Sequence, residues 1–334
     1  MQKLITLLLF ALMISGCGSS KANRIDDYVF KKKTEKAAYI KSYNNALKLW
    51  KVPFKEEDVQ TKIGTAHVII AGPKEAEPLV LLHGMDASST MWYPNIEALS
   101  KNHRVYAIDF LMEPGKSVST GSRLNTTEIV SWYDQIFKHY NLKKFKVVGA
   151  SRGGWIATLL ATQDNSKISK LVLLSPAQTF ESIDKKGKAM PALMLKLFPN
   201  EKKLKQTLDA FSYYPQKIDT VYKKQFYLAN KYAKSNTSML QMLPFPKDDL
   251  KKINIPVLVL IGDHDVINSE DSLEKATEFI PKSKTEKIKD AGHFLTIDQA
   301  KLVNRMVVDF LESIRHIHLK IHPTFLMLLN FGLN

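Results

Sequence analysis

Ser151 stands at the centre of Gly149-Ala150-Ser151-Arg152-Gly153, with the apolar run Phe145–Val148 before it and Trp155–Ala161 after it. A serine between two glycines at such a junction predicts a sharp strand-to-helix turn, with the nucleophile in strained backbone at its tip. The glycines leave room for neighbouring segments, and the helix N-terminus beneath Oγ favours developing negative charge. A serine hydroxyl is a weak nucleophile at neutral pH and needs a base. His293, in Asp290-Ala291-Gly292-His293-Phe294, is the candidate. A neutral imidazole there can take the serine proton and return it to the leaving group. The base in turn needs an orienting acid. Gly262-Asp263-His264-Asp265 follows the apolar run Val257–Ile261 and offers two carboxylates, giving the chain order Ser, Asp, His. The negative oxygen of a tetrahedral intermediate needs donors. His83-Gly84-Met85 follows the run Leu79–Leu82, and the backbone N–H groups of Met85 and Arg152 are the expected oxyanion hole. Taken singly, each motif also reads as a plain turn or a structural histidine. Their places at the ends of successive apolar runs favour chemistry.

Such placement requires a particular scaffold. Short, β-branched apolar runs predict strands at Val59–Ile63, Ala66–Ala71, Leu79–Leu82, Val105–Ile108, Phe145–Val148, Leu171–Leu174, Val257–Ile261 and Thr285–Ile288. Helices fit at Thr126–Tyr140, Gly153–Gln163, Glu270–Phe279 and Ala300–Ile314. An earlier one, Thr34–Trp50, carries Ala37, Tyr39, Tyr43, Ala46 and Leu47 and is expected to lie on the main domain. The alternation predicts an α/β fold, a mostly parallel eight-stranded sheet with helices on both faces. The stretch from Leu174 to Val257 is far longer than a crossover needs. Within it Met190, Leu193, Met194, Leu197 and Phe198 recur at helical spacing, which predicts an inserted helical cap over about residues 177–250. Phe211, Tyr213, Tyr214, Phe226, Tyr227, Met239 and Met242 in this cap either line an acyl pocket or form the cap's own core, and the second accounts for most of them.

Together the motifs resemble the α/β-hydrolase superfamily, in its branch of capped esterases, lipases and related hydrolases. The likeness covers roughly residues 55–314 and rests on Leu81-Leu82-His83-Gly84, the Gly149–Gly153 elbow, Gly262-Asp263-His264-Asp265 and Ala291-Gly292-His293. In similar hydrolases the acid motif reads Gly-x-x-Asp with an apolar residue next. Gly262, Asp265 and Val266 match it, so the resemblance assigns the acid to Asp265 and leaves Asp263 as a turn-stabilising side chain. Ser151 disfavours the members with an aspartate nucleophile. Arg152 departs from the commoner Met, Gln or His, and its side chain is expected to pair with an acid outside the pocket. The resemblance implies hydrolysis of a small-molecule carboxylic ester with a small or medium acyl group, through an acyl-enzyme and without metal or cofactor. Thioesterase, lipase, amidase and C–C hydrolase chemistry use the same constellation and stay open. A non-catalytic binding module would carry a damaged triad, and none is damaged here.

The chain has 334 residues, 45% of them hydrophobic, which allows a large core. Its 48 Lys+Arg against 33 Asp+Glu give a net charge of +15. The lysines are scattered and no aromatic-interleaved basic stripe occurs, so no nucleic-acid partner is expected. A basic surface, or residence near an anionic envelope, accounts for the charge. Cys17 is the single cysteine, so no intramolecular disulfide forms. Lys3 precedes the apolar run Leu4–Ile14, shorter than the roughly 20 residues a bilayer span takes and laid out like the core of a signal peptide. The run ends in Ile14-Ser15-Gly16-Cys17, which resembles a bacterial lipobox. Residues 1–16 are therefore read as a signal peptide. Cys17 is read as a lipidated N-terminus, with a tether and helix to residue 54, the catalytic domain over 55–315 and an extension over 316–334. A lipid anchor on the extracytoplasmic side of the cell membrane is the expected location. His316, His318 and His322 are read as histidines of a terminal extension rather than a metal site.

Overall fold

The computed structural model describes residues 27–313, apart from 120, 122, 184–186, 235–241 and 270. Cys17 and the signal-peptide reading, Met239, and the 316–334 extension with its three histidines lie outside the described residues. The frame is one eight-stranded sheet in the order β1-β2-β4-β3-β5-β6-β7-β8. In chain order the strands are β1 (Phe54–Gln60), β2 (Thr65–Ala71), β3 (Glu77–Leu82), β4 (His103–Ile108), β5 (Phe145–Ala150), β6 (Ile168–Leu174), β7 (Val257–Gly262) and β8 (Ser283–Ile288). β2 pairs antiparallel with β1 and β4, and every other neighbouring pair is parallel. Helices cover both faces, so the central strands are apolar on both: Val147 and Leu173 enter one buried cluster, Val148 and Val172 the other.

β1 differs from the expected Val59–Ile63. It runs antiparallel to β2 from Phe54↔Ala71 to Gln60↔Thr65, and Ile63 falls in the turn closed by Thr61 N–H to Gly64 O (3.0 Å). An edge strand needs few apolar residues, and Val59 is the only one of its seven residues that is buried.

The helices are α1 (Lys33–Leu47), α2 (Ile96–Ser100), α3 (Thr126–His139), α4 (Arg152–Gln163), α5 (Met190–Leu197), α6 (Glu201–Phe211), α7 (Thr220–Tyr232), α8 (Lys247–Leu250), α9 (Asp271–Phe279), α10 (Leu295–Asp298) and α11 (Ala300–Glu312). α5 to α8 fill the long connection between β6 and β7, where a cap was expected. α1 packs against the cap helix α7 as well as the main domain. Its Tyr39 hydroxyl donates to Pro114 O (2.9 Å) and accepts from Gln225 Nε2 (3.1 Å), clasping the cap to the domain below. The apolar periodicity in the cap does make a helix, α5, but its periodic face points outward. Met190, Leu193, Leu197 and Phe198 are exposed, whereas Leu195 is buried.

Because β3 to β8 run parallel, their carboxyl ends meet at one edge of the sheet. The segments 83–86, 109–113, 151–152, 263–268 and 290–293 all leave from that edge, where open α/β sheets hold their ligands.

Candidate active site

Ser151 occupies the turn between β5 and α4 with φ 53° and ψ −117°. A side chain in this region is strained, and the surrounding bonds hold it there. Ser151 N–H donates to Leu174 O (2.9 Å), and Ser151 O accepts from Gly154 N (2.9 Å). The turn is tight enough to demand its two glycines. A Cβ on Gly149 would come within 2.3 Å of Gly153 O, and one on Gly153 within 2.0 Å of Leu82 O.

The structure brings His293 and Asp265 to this serine. His293 Nε2 lies 2.8 Å from Ser151 Oγ, and its Nδ1 lies 3.0 and 3.1 Å from the two oxygens of Asp265. Burial works to raise the Asp265 carboxyl. The adjoining His293 ring, the Asn268 amide and the Ile267 N–H overcome it and hold the carboxyl below its usual value. An ionised acid at Nδ1 keeps the ring proton there and leaves Nε2 free to accept from the serine. Asp263 does not touch His293. Its oxygens accept from Asp290 N and Ala291 N (both 3.1 Å) and pair with the His264 ring (2.7 Å), which braces the loop leading to His293.

The turn after β3 lies directly against Ser151: a Cβ on Gly84 would meet Ser151 Cβ at 3.3 Å and Oγ at 3.9 Å. This places the Met85 segment and the start of α4 on the same side of Ser151. His83 pins the turn from beneath. Its Nδ1 bonds Gly84 O (2.8 Å), and its Nε2 accepts from Phe110 N (2.9 Å), a pattern that requires the neutral ring. Burial lowers the His83 pKa and keeps the ring neutral. The Arg152 side chain turns away to form a buried ion pair with Glu113 and lies over the Phe110 ring at 4.8 Å. Glu113 also accepts from Asp86 N (2.9 Å), so one carboxylate ties the elbow to the turn that carries Met85. Burial pushes the Glu113 carboxyl upward, and the Arg152 guanidinium pulls against it.

Four supporting residues escaped the sequence reading. Glu113 and Asp109 follow β4, and Asp109 accepts from Ser89 N (2.8 Å) and Lys116 N (2.9 Å). An acid just past a strand end was the signal, the same one that pointed to Asp265. Asn268 grips Asp265 through its amide (2.9 Å) and its N–H (3.2 Å). Asp298 is wholly buried and accepts from Gly292 N (2.8 Å), Tyr213 N (2.8 Å), Tyr214 N (3.1 Å) and the Ser212 hydroxyl. It thereby joins the residue before His293 to the cap. Of the cap residues considered for an acyl pocket, Phe211 stands edge-on to His293 (5.6 Å, 90°) and Phe226 packs on Phe294 (6.0 Å). Tyr227 and Met242 are buried, while Tyr213 is exposed. Among the described residues, no group of three or more His, Cys, Asp or Glu side chains is placed to hold a metal ion.

Comparison with known proteins bears on this geometry. Residues 77–209 and 188–300 match the family model described as the alpha/beta hydrolase fold. A Bacillus subtilis protein named as the uncharacterised carboxylesterase nap is 30% identical over 286 residues, covering 82% of this chain and 92% of that protein. Carboxylesterase YbfK of the same organism is 28% identical over 280 residues, covering 82% and 93%. The crystal structure of naproxen esterase (carboxylesterase NP) from Bacillus subtilis superimposes with a TM-score of 0.79 at 30% identity, covering 84% of this chain and 99% of the other.

Proposed function

The chain belongs to the α/β-hydrolase fold family, and we propose that it acts there as a serine hydrolase of small-molecule carboxylic esters with small or medium acyl groups. It is a carboxylic-ester hydrolase; the residue roles that follow are our own assignment. The observation that carries it is the unbroken line of hydrogen bonds from Asp265 through His293 to Ser151 Oγ, ending against the Gly84 turn.

Ser151 Oγ attacks the ester carbonyl carbon while its proton passes to His293 Nε2. The carbonyl electrons move to oxygen, where the N–H groups of Met85 and Arg152 receive the charge. Asp265 stabilises the imidazolium. Collapse breaks the bond to the alcohol oxygen, and His293 returns its proton to that oxygen, leaving acyl-Ser151. A water then gives its proton to His293 and attacks the acyl carbon, which releases the acid and regenerates the hydroxyl. A panel of p-nitrophenyl esters of graded acyl length tests this, with turnover expected to peak at short or medium chains. Ser151→Ala should lower kcat by about 10⁴-fold or more with little change in stability. Wild-type turnover by that variant would remove Ser151 from the role, and a rate rising steadily to long acyl chains would replace the esterase assignment by a lipase one.

Cys17 we assign as an acylated N-terminus that holds the enzyme on the extracytoplasmic face of a membrane. The run Leu4–Ile14 and the tetrapeptide Ile14-Ser15-Gly16-Cys17 support this. Among the described residues, no helix is long and apolar enough to cross a membrane. Cell fractionation checks the assignment: Cys17→Ala should move the protein out of the salt-washed membrane fraction, and undiminished retention would count against the anchor.

A further inference from the structure

Eight large hydrophobic side chains are exposed among the described residues, and four of them sit within nine positions of the cap: Met190 (49%), Leu193 (50%), Leu197 (50%) and Phe198 (62%). At helical spacing, Met190, Leu193 and Leu197 share one stripe of α5, and Phe198 continues it at the C-terminal end. The opposite stripe is already used. Leu195 is fully buried, Ala192 packs on the main core, and Lys196 forms an ion pair with Asp86 (2.7 Å). α5 is therefore apolar on the side facing solvent, with its inward side occupied. A contiguous apolar stripe of this kind on a monomer marks an interaction surface.

Two further observations say what covers it. Residues 187–209 contain Lys188, Lys196, Lys202, Lys203 and Lys205 against Glu201 and Asp209; Lys196 is paired inward with Asp86 and Lys205 with Asp209, which leaves Lys188, Lys202 and Lys203, the first two of them exposed. An apolar stripe flanked by lysines matches the acyl boundary and charged headgroups of an anionic bilayer. The second observation is where the described chain starts. Lys234 N, just beyond cap helix α7, donates to Val29 O (2.8 Å), and Tyr28 N donates to Ser119 O (2.7 Å). Tyr28 also feels the charges of Arg152 and Glu113 beside the elbow. The 26 residues that precede this point, with the apolar run Leu4–Ile14, thus join the protein on its cap side. The other apolar terminal segment follows Ser313, whose carbonyl binds Lys170 near the amino-terminal ends of the parallel strands, away from the cap.

We propose that the outward face of α5 is a docking surface for an anionic phospholipid bilayer. Docking sets the cap and the turn held by Asp86 against the lipid surface, where esters that partition into the bilayer are concentrated. The proposal does not require Cys17 to be acylated.

The test uses the full-length chain carrying Phe198→Trp, with vesicles of phosphatidylcholine and phosphatidylglycerol in equal parts that contain brominated acyl chains. Trp50, Trp92, Trp132 and Trp155 are all buried, so the new indole supplies the quenchable signal. Quenching on vesicle addition is expected, with loss of the effect on pure phosphatidylcholine or at high salt. Adding Leu193→Gln and Leu197→Gln should raise the lipid concentration for half-maximal quenching by about tenfold or more. Hydrolysis of a soluble short-chain ester should stay unchanged, which shows that the variant is folded. A vesicle-bound protein whose residue-198 indole is not quenched overturns the proposal even if the N-terminus anchors the chain. Two other results also overturn it. One is a wild-type dimer that the glutamine variant turns into a monomer. The other is quenching that appears only after residues 314–334 are removed, which would make that segment the cover.

Discussion

Asp298→Asn should cost stability and activity together, by an amount that follows from its four contacts. One carboxylate oxygen accepts from Gly292 N and Tyr213 N, the other from Tyr214 N and the Ser212 hydroxyl. An amide keeps one acceptor and puts an NH2 group in place of the other. Keeping oxygen toward Gly292 and Tyr213 is the better orientation. Ser212 can then rotate its hydroxyl to accept from the NH2, but Tyr214 N–H cannot, and one buried donor is left unmet at about 1–3 kcal/mol. The two retained bonds lose their charge assistance, roughly 1 kcal/mol apiece. The sum is about 3–5 kcal/mol, read as a lower urea midpoint with an unchanged slope. Gly292 precedes His293, and Phe294 N bonds Phe211 O (2.9 Å), so the same loss loosens the loop that aims the imidazole. Turnover of a short-chain ester should fall by about ten- to a hundredfold through kcat, with KM little altered. A variant within roughly 0.5 kcal/mol of wild type and with unchanged kcat would refute the argument, because a carboxylate with four buried donors would then contribute nothing.

Two more outcomes follow from the site. Asp265→Asn should lower kcat by about 10⁴-fold and Asp263→Asn by less than roughly tenfold, since the first removes the charge beside Nδ1 and the second only loosens the 290–291 turn; kcat for both variants decides, and a reversed order transfers the role to Asp263. Burial depresses the His83 pKa from 6.5, so below about pH 6.5 the unfolded chain takes up a proton that the folded chain refuses, and stability declines as pH falls from there through the folded value. Urea midpoints measured across that range should slope less steeply in His83→Asn, and an unaltered slope would show that another group carries the effect.

The hydrogen-bonded group of Ser151, His293 and Asp265 was legible because its members sit where a parallel sheet delivers them. Strands that run parallel end at one edge, so Ser151, Asp265 and His293, each within five residues of the end of an expected strand, could be placed together with no knowledge of their distances. The choice between Asp263 and Asp265 depended on family likeness, and the structure puts Asp265 on the ring. Asp298 was hidden for the opposite reason. Three of its donors come from residues 212–214, far away in the chain, and nothing near Asp298 in the sequence announces them. Glu113 was obscured in the same way, because its partners Asp86 and Arg152 come from two other strand ends.

β1 and α5 show a different limit. β1 was displaced because a periodic apolar pattern marks burial, and an edge strand such as Phe54–Gln60 is held by its ladder to β2 and by ion pairs instead. Glu56 and Asp58, two of its charged residues, flank the buried His67 ring at 2.9 and 2.7 Å. In α5 the pattern gave the helix but not its direction. Apolar spacing says which residues share a face, but not which face the fold covers. What turns the helix is the opposite side, where Leu195 fills the core and Lys196 reaches Asp86. Outward rotation of Leu195 would bury Met190, Leu193 and Leu197, yet it would also bring Leu195 and the Lys196 charge to the surface and leave Asp86 without its cation. The inward side of α5 is held both by Leu195 and by the Lys196 ion pair to the turn beside Ser151, and the larger apolar face is the one proposed above to meet a bilayer.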